Sequence, residues 1–351
     1  MRKLIVIVLA VLMVLTFSGC SSNEEKETLK VYSPGVYIDP TLISEFEDEF
    51  DCRVIYENFD SNEMMYTKFM SGDEYDVLVP SDYMIERLIE EDQLQKLDRS
   101  LITNYDGLMD GVLHKEFDIN NEYAIPYFWG TVGLLYNTQK VDQADLENDG
   151  WDILLNEKYK GRIYFYDSER DAFMIAFKAL GYSMNSDDEK EIDEAYQWLL
   201  KMAETMEPVY ATDDAIDSMV AGNRDIAVMY SGDSAYVMTE NEDMSFYMPK
   251  EGTNVWVDGM VITKNSKNVE LAHEWINFMI REDVAAKNSS YVGYSSPVQS
   301  VYDEMSGEGG EYEGNIAYIP RLGYEMDESF NNNEVLRKKV AELWTRVKSS
   351  Q

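Results

Sequence analysis

"EYAIPYFWGTVGLLYN", residues 122–137, decides how the chain is organised. The stretch is apolar nearly throughout, rich in aromatic and aliphatic side chains, and punctuated by Gly130 and Gly133. That pattern reads as a long extended segment, not as an amphipathic helix. Before it, short apolar strands alternate with helical periodicity. "LKVYS" (29–33), "RVIYE" (53–57) and "YDVLVP" (75–80) read as strands, and 40–50, 62–71 and 83–91 as helices. After it a second series follows: "GRIYFYD" (161–167), helices 171–180, 189–204 and 213–221, and "DIAVMY" (225–230). A second extended segment, 254–263, leads to helices 268–280 and 333–348. The strand–helix–strand rhythm implies mostly parallel sheets with right-handed crossovers and helices on both faces. Two α/β series joined by two extended crossings predict two lobes about a two-strand hinge. The expected division is 29–131 plus 258–300 for the first lobe and 132–257 plus 301–349 for the second. The cleft between the lobes is the expected ligand site.

The chain has 351 residues and a formal charge of −37, from 30 Lys and Arg against 67 Asp and Glu. Phosphate binding needs a basic face, so nucleic acid is excluded as a partner. The start of the chain stands apart. Arg2 and Lys3 precede an apolar run from Leu4 to Phe17, which ends in Ser18, Gly19 and Cys20. This has the parts of a secretory signal and is short for a membrane span. Its "FSGC" ending resembles a bacterial lipobox, so residues 1–19 are expected to be removed and Cys20 to be lipidated. Residues 20–28 would then be a polar tether, and the expected location is the outer face of the bacterial cell membrane. Cys52 would be the single remaining thiol, a small buried hydrophobe.

In open α/β sheets, ligands collect beyond the carboxyl ends of strands. Aromatic and acidic residues recur there: Tyr37 after the first strand, Ser81, Asp82 and Tyr83 after the third, Asp167 and Asp171 in the second series, Tyr230 and Asp233 after "DIAVMY". In "NVWVDGMVITKN" (254–265), Trp256 and Asp258 stand two apart and share one strand face. An unpartnered carboxylate on a buried face is costly unless a cation arrives to meet it. Rings attract ammonium groups and carboxylates accept their hydrogen bonds. A linear polyamine, with amines joined by methylenes, suits such a set.

"SNEMMYTKFMSGDEYDVLVPSDYMIERL" (61–88), "AIPYFWGTVGLLYN" (124–137) and "WVDGMVI" (256–262) together resemble the spermidine/putrescine-binding proteins of bacterial ABC uptake systems. The resemblance runs from about 29 to 348. It implies the type II periplasmic binding protein fold, closing on a polyamine that is handed to a membrane permease, without a cofactor and as a monomer. By motif, it assigns ligand contacts to Ser81 and Tyr83 of the P-S-x-Y turn, to Asp171 after Arg170, to Trp256 and Asp258, to Tyr294 of "GYSSP", and to Tyr230 and Asp233 around "SGD". The family's first loop reads N-W-x-x-Y; here Ser33, Pro34, Gly35 and Val36 precede Tyr37, so the tryptophan is missing. Ser168 stands where some members carry aspartate, with Asp167 adjacent.

The rival readings keep the fold and change the cation, to a quaternary amine or ferric iron, or make the acids those of a glycosidase. No two of the 25 tyrosines are adjacent in sequence, as an iron site of this kind would favour, and a quaternary amine has no N–H for the carboxylates. His114 and His273 show no nucleophile partner, and no metal-ligand spacing is present. The expectation is a binding protein and not an enzyme.

Overall fold

The computed structural model describes residues 26–212 and 214–350. The signal, the lipobox cysteine and most of the tether lie outside these residues. The first series forms β1 (Thr28–Pro34), α1 (Pro40–Glu49), β2 (Arg53–Phe59), α2 (Asn62–Met70), β3 (Val77–Leu78) and α3 (Asp82–Glu90). Local chemistry sets these boundaries. Asp39 caps α1 by accepting from the Thr41 N–H, and Pro40 takes the first position, where its missing N–H is harmless. Ser61 caps α2 the same way through the Met64 N–H, and Gly72 follows with φ +108°, open only to glycine. β3 is shorter than the expected 75–80, although the Asp76 and Val79 N–H groups continue the ladder to Lys30 and Tyr32. Pro80 brings no N–H and closes the strand.

The long apolar segment 122–137 forms one strand, β4 (Ala124–Asn137). Next come α4 (Gln143–Asp149), β5 (Ile163–Tyr166), α5 (Glu169–Ala179), α6 (Glu189–Met206), β6 (Val209–Ala211), α7 (Asp214–Val220), β7 (Ile226–Tyr230), α8 (Ser231–Glu240) and β8 (Met244–Tyr247). β9 (Val255–Ile262), α9 (Val269–Met279), α10 (Glu282–Val292), α11 (Gln299–Ser306) and α12 (Glu334–Lys348) complete the chain. α4, β6, β8, α10, α11 and the short 3-10 turns between 99 and 118 and between 150 and 159 were not anticipated.

The strands run in the order β2-β1-β3-β9-β4-β7-β5-β6, with β8 also on β4. β1, β2 and β3 are parallel, as are β5, β6 and β7. The two long strands enter antiparallel. β4 pairs with β9 through 124–131 and with β7 through 132–136. At that switch the chain is tied crosswise. The Thr131 hydroxyl donates to the Asn254 carbonyl at 2.6 Å, the Val132 N–H to Asn254 Oδ1 at 3.1 Å, and the Thr253 hydroxyl to the Val132 carbonyl at 2.7 Å. A further segment runs alongside, where the Val255 N–H donates to the Glu328 carbonyl. One large core holds Phe46, Trp275 and Phe278; another holds Trp151, Phe165, Phe177 and Trp344. α11 rests on α10, and Val301, Met305 and Tyr318 share the core of Ile276 and Val284. Among the described residues, no helix is long and apolar enough to cross a membrane.

Candidate functional site

The site grows from β9. Trp256 and Asp258 are both buried, on one strand face, as their spacing requires. Asp258 Oδ2 accepts a 2.6 Å hydrogen bond from the Tyr37 hydroxyl, while Oδ1 has no partner. Burial pushes this carboxyl up to about 6, against the Tyr37 hydrogen bond and the nearby Ser81 hydroxyl, which favour the anion. Tyr37 is itself held from behind. Its carbonyl accepts from the Tyr127 hydroxyl at 2.7 Å, and that hydroxyl accepts from Asn288 Nδ2 at 2.9 Å. Tyr127 is free to do so because the β4–β9 register slips between Pro126 and Phe128. Pro126 cannot donate to the ladder, and the resulting bulge re-aims the residue that follows.

From Tyr37 a row of rings crosses the interface between the two strand series. Successive centroids lie 5.8 Å apart from Tyr37 to Tyr294, 5.2 Å to Trp256, 6.2 Å to Tyr230 and 4.9 Å to Tyr166, each pair edge to face. Two glycines permit this packing. A Cβ on Gly232 would lie 2.4 Å from the Tyr294 ring, and one on Gly130 would lie 2.7 Å from the Trp256 ring. The far end mirrors the near one. The Tyr230 hydroxyl donates to Asp171 Oδ2 at 2.8 Å, Asp171 Oδ1 has no partner, and burial raises this carboxyl as well. The Trp256 indole N–H, between the two ends, is also unpartnered. A row of rings therefore runs between two buried carboxylates, each with one oxygen to offer. Such an arrangement attracts N–H cations and rejects anions.

The remaining expected residues divide. Ser81 lies opposite Asp258 in an isolated antiparallel bridge and is clasped by Asn62, which accepts from its N–H and donates to its hydroxyl. Tyr83 is buried, with the Arg170 guanidinium 3.4 Å from its ring centre and its hydroxyl donating to Glu63. Asp82 lies in the fold beneath them, 1% exposed, with Oδ1 accepting from the Tyr83 N–H. Burial first, and the Asp258 charge after it, push its carboxyl up to about 8, opposed by that N–H and by Arg170. Asp233 stands half-buried in the first turn of α8. Asp167 is turned elsewhere: it accepts from the Trp344 indole at 2.9 Å and from Lys348 Nζ at 2.7 Å, fastening α12 to β5. Tyr127, Phe128, Asn288, Gly232, Tyr166, Glu63 and Arg170 join the site or its support without having been expected there. Only Pro126, as a bulge signal, could have pointed to Tyr127.

Other features lead away from chemistry at a different place. A cavity of about 540 Å³ beside Lys30, Tyr75, Asp76 and Asn268 holds one buried acid, Asp76, which already accepts from the Lys30 N–H and the Ser266 hydroxyl. His273 has both ring nitrogens engaged, by the Asp98 N–H and the Val269 carbonyl. Among the described residues, no group of three or more His, Cys, Asp or Glu could hold a metal ion.

Comparison with known proteins agrees with this architecture. The family described as "Bacterial extracellular solute-binding protein" matches residues 41–314. The spermidine/putrescine-binding periplasmic protein of Escherichia coli K12 is 34% identical over 276 residues, 78% of each chain. The putrescine-binding periplasmic protein SpuD of Pseudomonas aeruginosa is 31% identical over 294 residues, 79% of this chain and 80% of its own. The crystal structure of the spermidine/putrescine ABC transporter substrate-binding protein PotD from Streptococcus pneumoniae superposes with a TM-score of 0.80 at 35% identity, covering 92% of this chain and 99% of that one. The chain has the α/β fold of the periplasmic binding proteins and belongs to the bacterial extracellular solute-binding protein family, whose members bind and deliver solutes and are not enzymes.

Proposed function

We propose that this protein is the substrate-binding component of a polyamine ABC transporter, taking putrescine or spermidine and passing it to a membrane permease. The observation that carries this reading is the row of rings from Tyr37 to Tyr166 with Asp258 and Asp171 beside it, each offering an unpartnered oxygen. One ligand ammonium takes Asp258 Oδ1 and another Asp171 Oδ1, while the methylenes lie along Trp256 and Tyr294. Relatives named for spermidine and putrescine binding support the same ligand class. Primary amines fit because they donate N–H bonds; a quaternary amine would leave both carboxylates unanswered.

The lobes are 29–131 plus 258–318 and 132–257 plus about 319–349, moving about the crosswise ties at Thr131, Val132, Thr253 and Asn254. The expected division puts this boundary at 300; the packing of α11 on α10 and the contact between the Ser289 and Tyr318 hydroxyls support carrying it to about 318. Calorimetric titration of the mature protein with putrescine, spermidine and spermine tests the reading. Micromolar or tighter binding of at least one is expected; no heat with any polyamine would refute it.

In the same reading the mature chain is anchored through Cys20, which a lipobox-like "FSGC" supports. A single acyl chain holds only marginally, so diacylation is needed for a stable anchor. Mass spectrometry of the native N-terminus decides: a diacylglyceryl Cys20 is expected, and an unmodified terminus cut elsewhere would contradict it.

A further inference from the structure

We infer that Arg170 is a latch between the lobes, a positioning residue that sets how long the closed form lasts without reading which polyamine is inside. This rests on the binding-protein reading above. Arg170 occupies the second position of α5, in the second lobe, and its ion-pair partner and its nearest ring belong to the first. Its guanidinium lies 3.4 Å from the centre of the Tyr83 ring on α3, and one of its nitrogens lies 3.4 Å from Glu63 Oε1 on α2. Tyr83 also donates to Glu63 through its hydroxyl, so the three groups form a closed cluster. Phe330, from the segment that runs back past β9, adds a ring 5.7 Å away.

The first turn of a helix is the wrong place for a cation on local grounds, since the helix dipole favours acids there, and Glu169 and Asp171 flank it accordingly. A side chain that opposes its local setting is held by a tertiary role. Arg170 does not belong to the ligand contacts: it is a cation beside a site for cations. Its charge does oppose the raised carboxyls of Asp82 and Asp171, so it keeps the acidic end of the cleft tolerable while the lobes are shut. The ring face of Tyr83 that Arg170 covers is a face no ligand methylene can use in the closed form. Opening the lobes separates Arg170 from both partners at once.

One cation–ring contact and one part-exposed ion pair correspond to roughly a 3- to 30-fold change in the closed-to-open ratio. The test compares Arg170→Gln, Glu63→Gln and the double variant, after circular dichroism shows each is folded. Two readouts are needed: dissociation rates of putrescine and spermidine by stopped flow, and the interlobe distance distribution of polyamine-free protein from a pair of attached dyes. A latch predicts that Arg170→Gln speeds dissociation of both polyamines by the same factor and lowers the closed fraction without ligand. Glu63→Gln should show a smaller effect, and the double variant little more than Arg170→Gln. A changed preference between putrescine and spermidine would make Arg170 a ligand-reading residue and overturn the inference. So would an unaltered distance distribution in the polyamine-free variants, a result that stands even if the parent protein binds no polyamine. Should Arg170→Gln fail to fold, Glu63→Gln alone decides on the same two readouts.

Discussion

Asp258→Asn separates a binding carboxylate from a structural one, because the two roles predict opposite signs for stability. The substitution keeps the shape, and the asparagine oxygen can still accept from the Tyr37 hydroxyl, now 2.6 Å from Oδ2. What it removes is a buried charge whose second oxygen is unpartnered. In the unliganded protein the carboxyl titrates at about 6 instead of 3.8, with burial as the main cause. That displacement corresponds to an order of 3 kcal/mol of native-state destabilisation by the charge at neutral pH. The unfolded chain loses this proton near 3.8 and the native protein keeps it to about 6. Stability is therefore lost as pH rises through that window, and the full penalty applies above it. Asp258→Asn should melt later than the parent at pH 7, by up to a few kcal/mol in chemical denaturation, and the difference should vanish near pH 4. Polyamine binding should move the other way. Truncating one partner of a desolvated charge contact costs about 2–5 kcal/mol, roughly 30- to several-thousand-fold in affinity. Denaturation of the polyamine-free proteins at the two pH values, beside titration with putrescine and spermidine, gives both numbers. If the variant binds like the parent and melts earlier at pH 7, Asp258 is an internal structural partner and not a ligand anchor.

Further outcomes follow from the same geometry. Gly232→Ala has an ordinary backbone to accept it, but its methyl meets the Tyr294 ring at 2.4 Å; displacing that wall should weaken polyamine binding by about 1–3 kcal/mol with little loss of fold, and unchanged affinity would remove Tyr294 from the ligand wall. Asp167→Asn breaks a half-exposed pair with Lys348, so denaturant melts should show a loss of about 1 kcal/mol or less while titration shows parental affinity; a large affinity loss would bring Asp167 into the site after all. Because an ammonium favours the ionised Asp258, which titrates at about 6 when unliganded, affinity should be level above neutral pH and fall up to about tenfold per pH unit below 6; titrations in buffers of different ionisation enthalpy should then report proton release, and a flat profile down to pH 5 would exclude Asp258 as the anchor.

The α/β series were legible because each strand and helix carries its own period. Leu42 and Phe46 bury one face of α1 as helical spacing requires, and Trp256 and Asp258 share a face because a strand alternates by two. Direction beyond the backbone was not legible. Asp167 and Asp171 look equivalent along the chain, yet Asp167 meets Trp344 and Lys348 while Asp171 meets Tyr230. The difference comes from a C-terminal helix more than 160 residues away in sequence, docked on β5. Asp82 reads as one more acid beyond a strand end, yet it is buried because α3 packs against β9, which no local pattern encodes. Tyr127 was absorbed into a uniform extended stretch, and only the three-dimensional slip at Pro126 turns it toward Tyr37. Glu63 and Arg170 meet across elements that sequence spacing cannot bring together.

The most direct measurement is a crystal structure of the mature protein grown with putrescine or spermidine. One ligand nitrogen is expected within about 3 Å of Asp258 Oδ1 and another within reach of Asp171 Oδ1, with the alkyl chain against the Trp256 and Tyr294 rings. A polyamine bound elsewhere, or bound here with both of those oxygens still unpartnered, would contradict this placement.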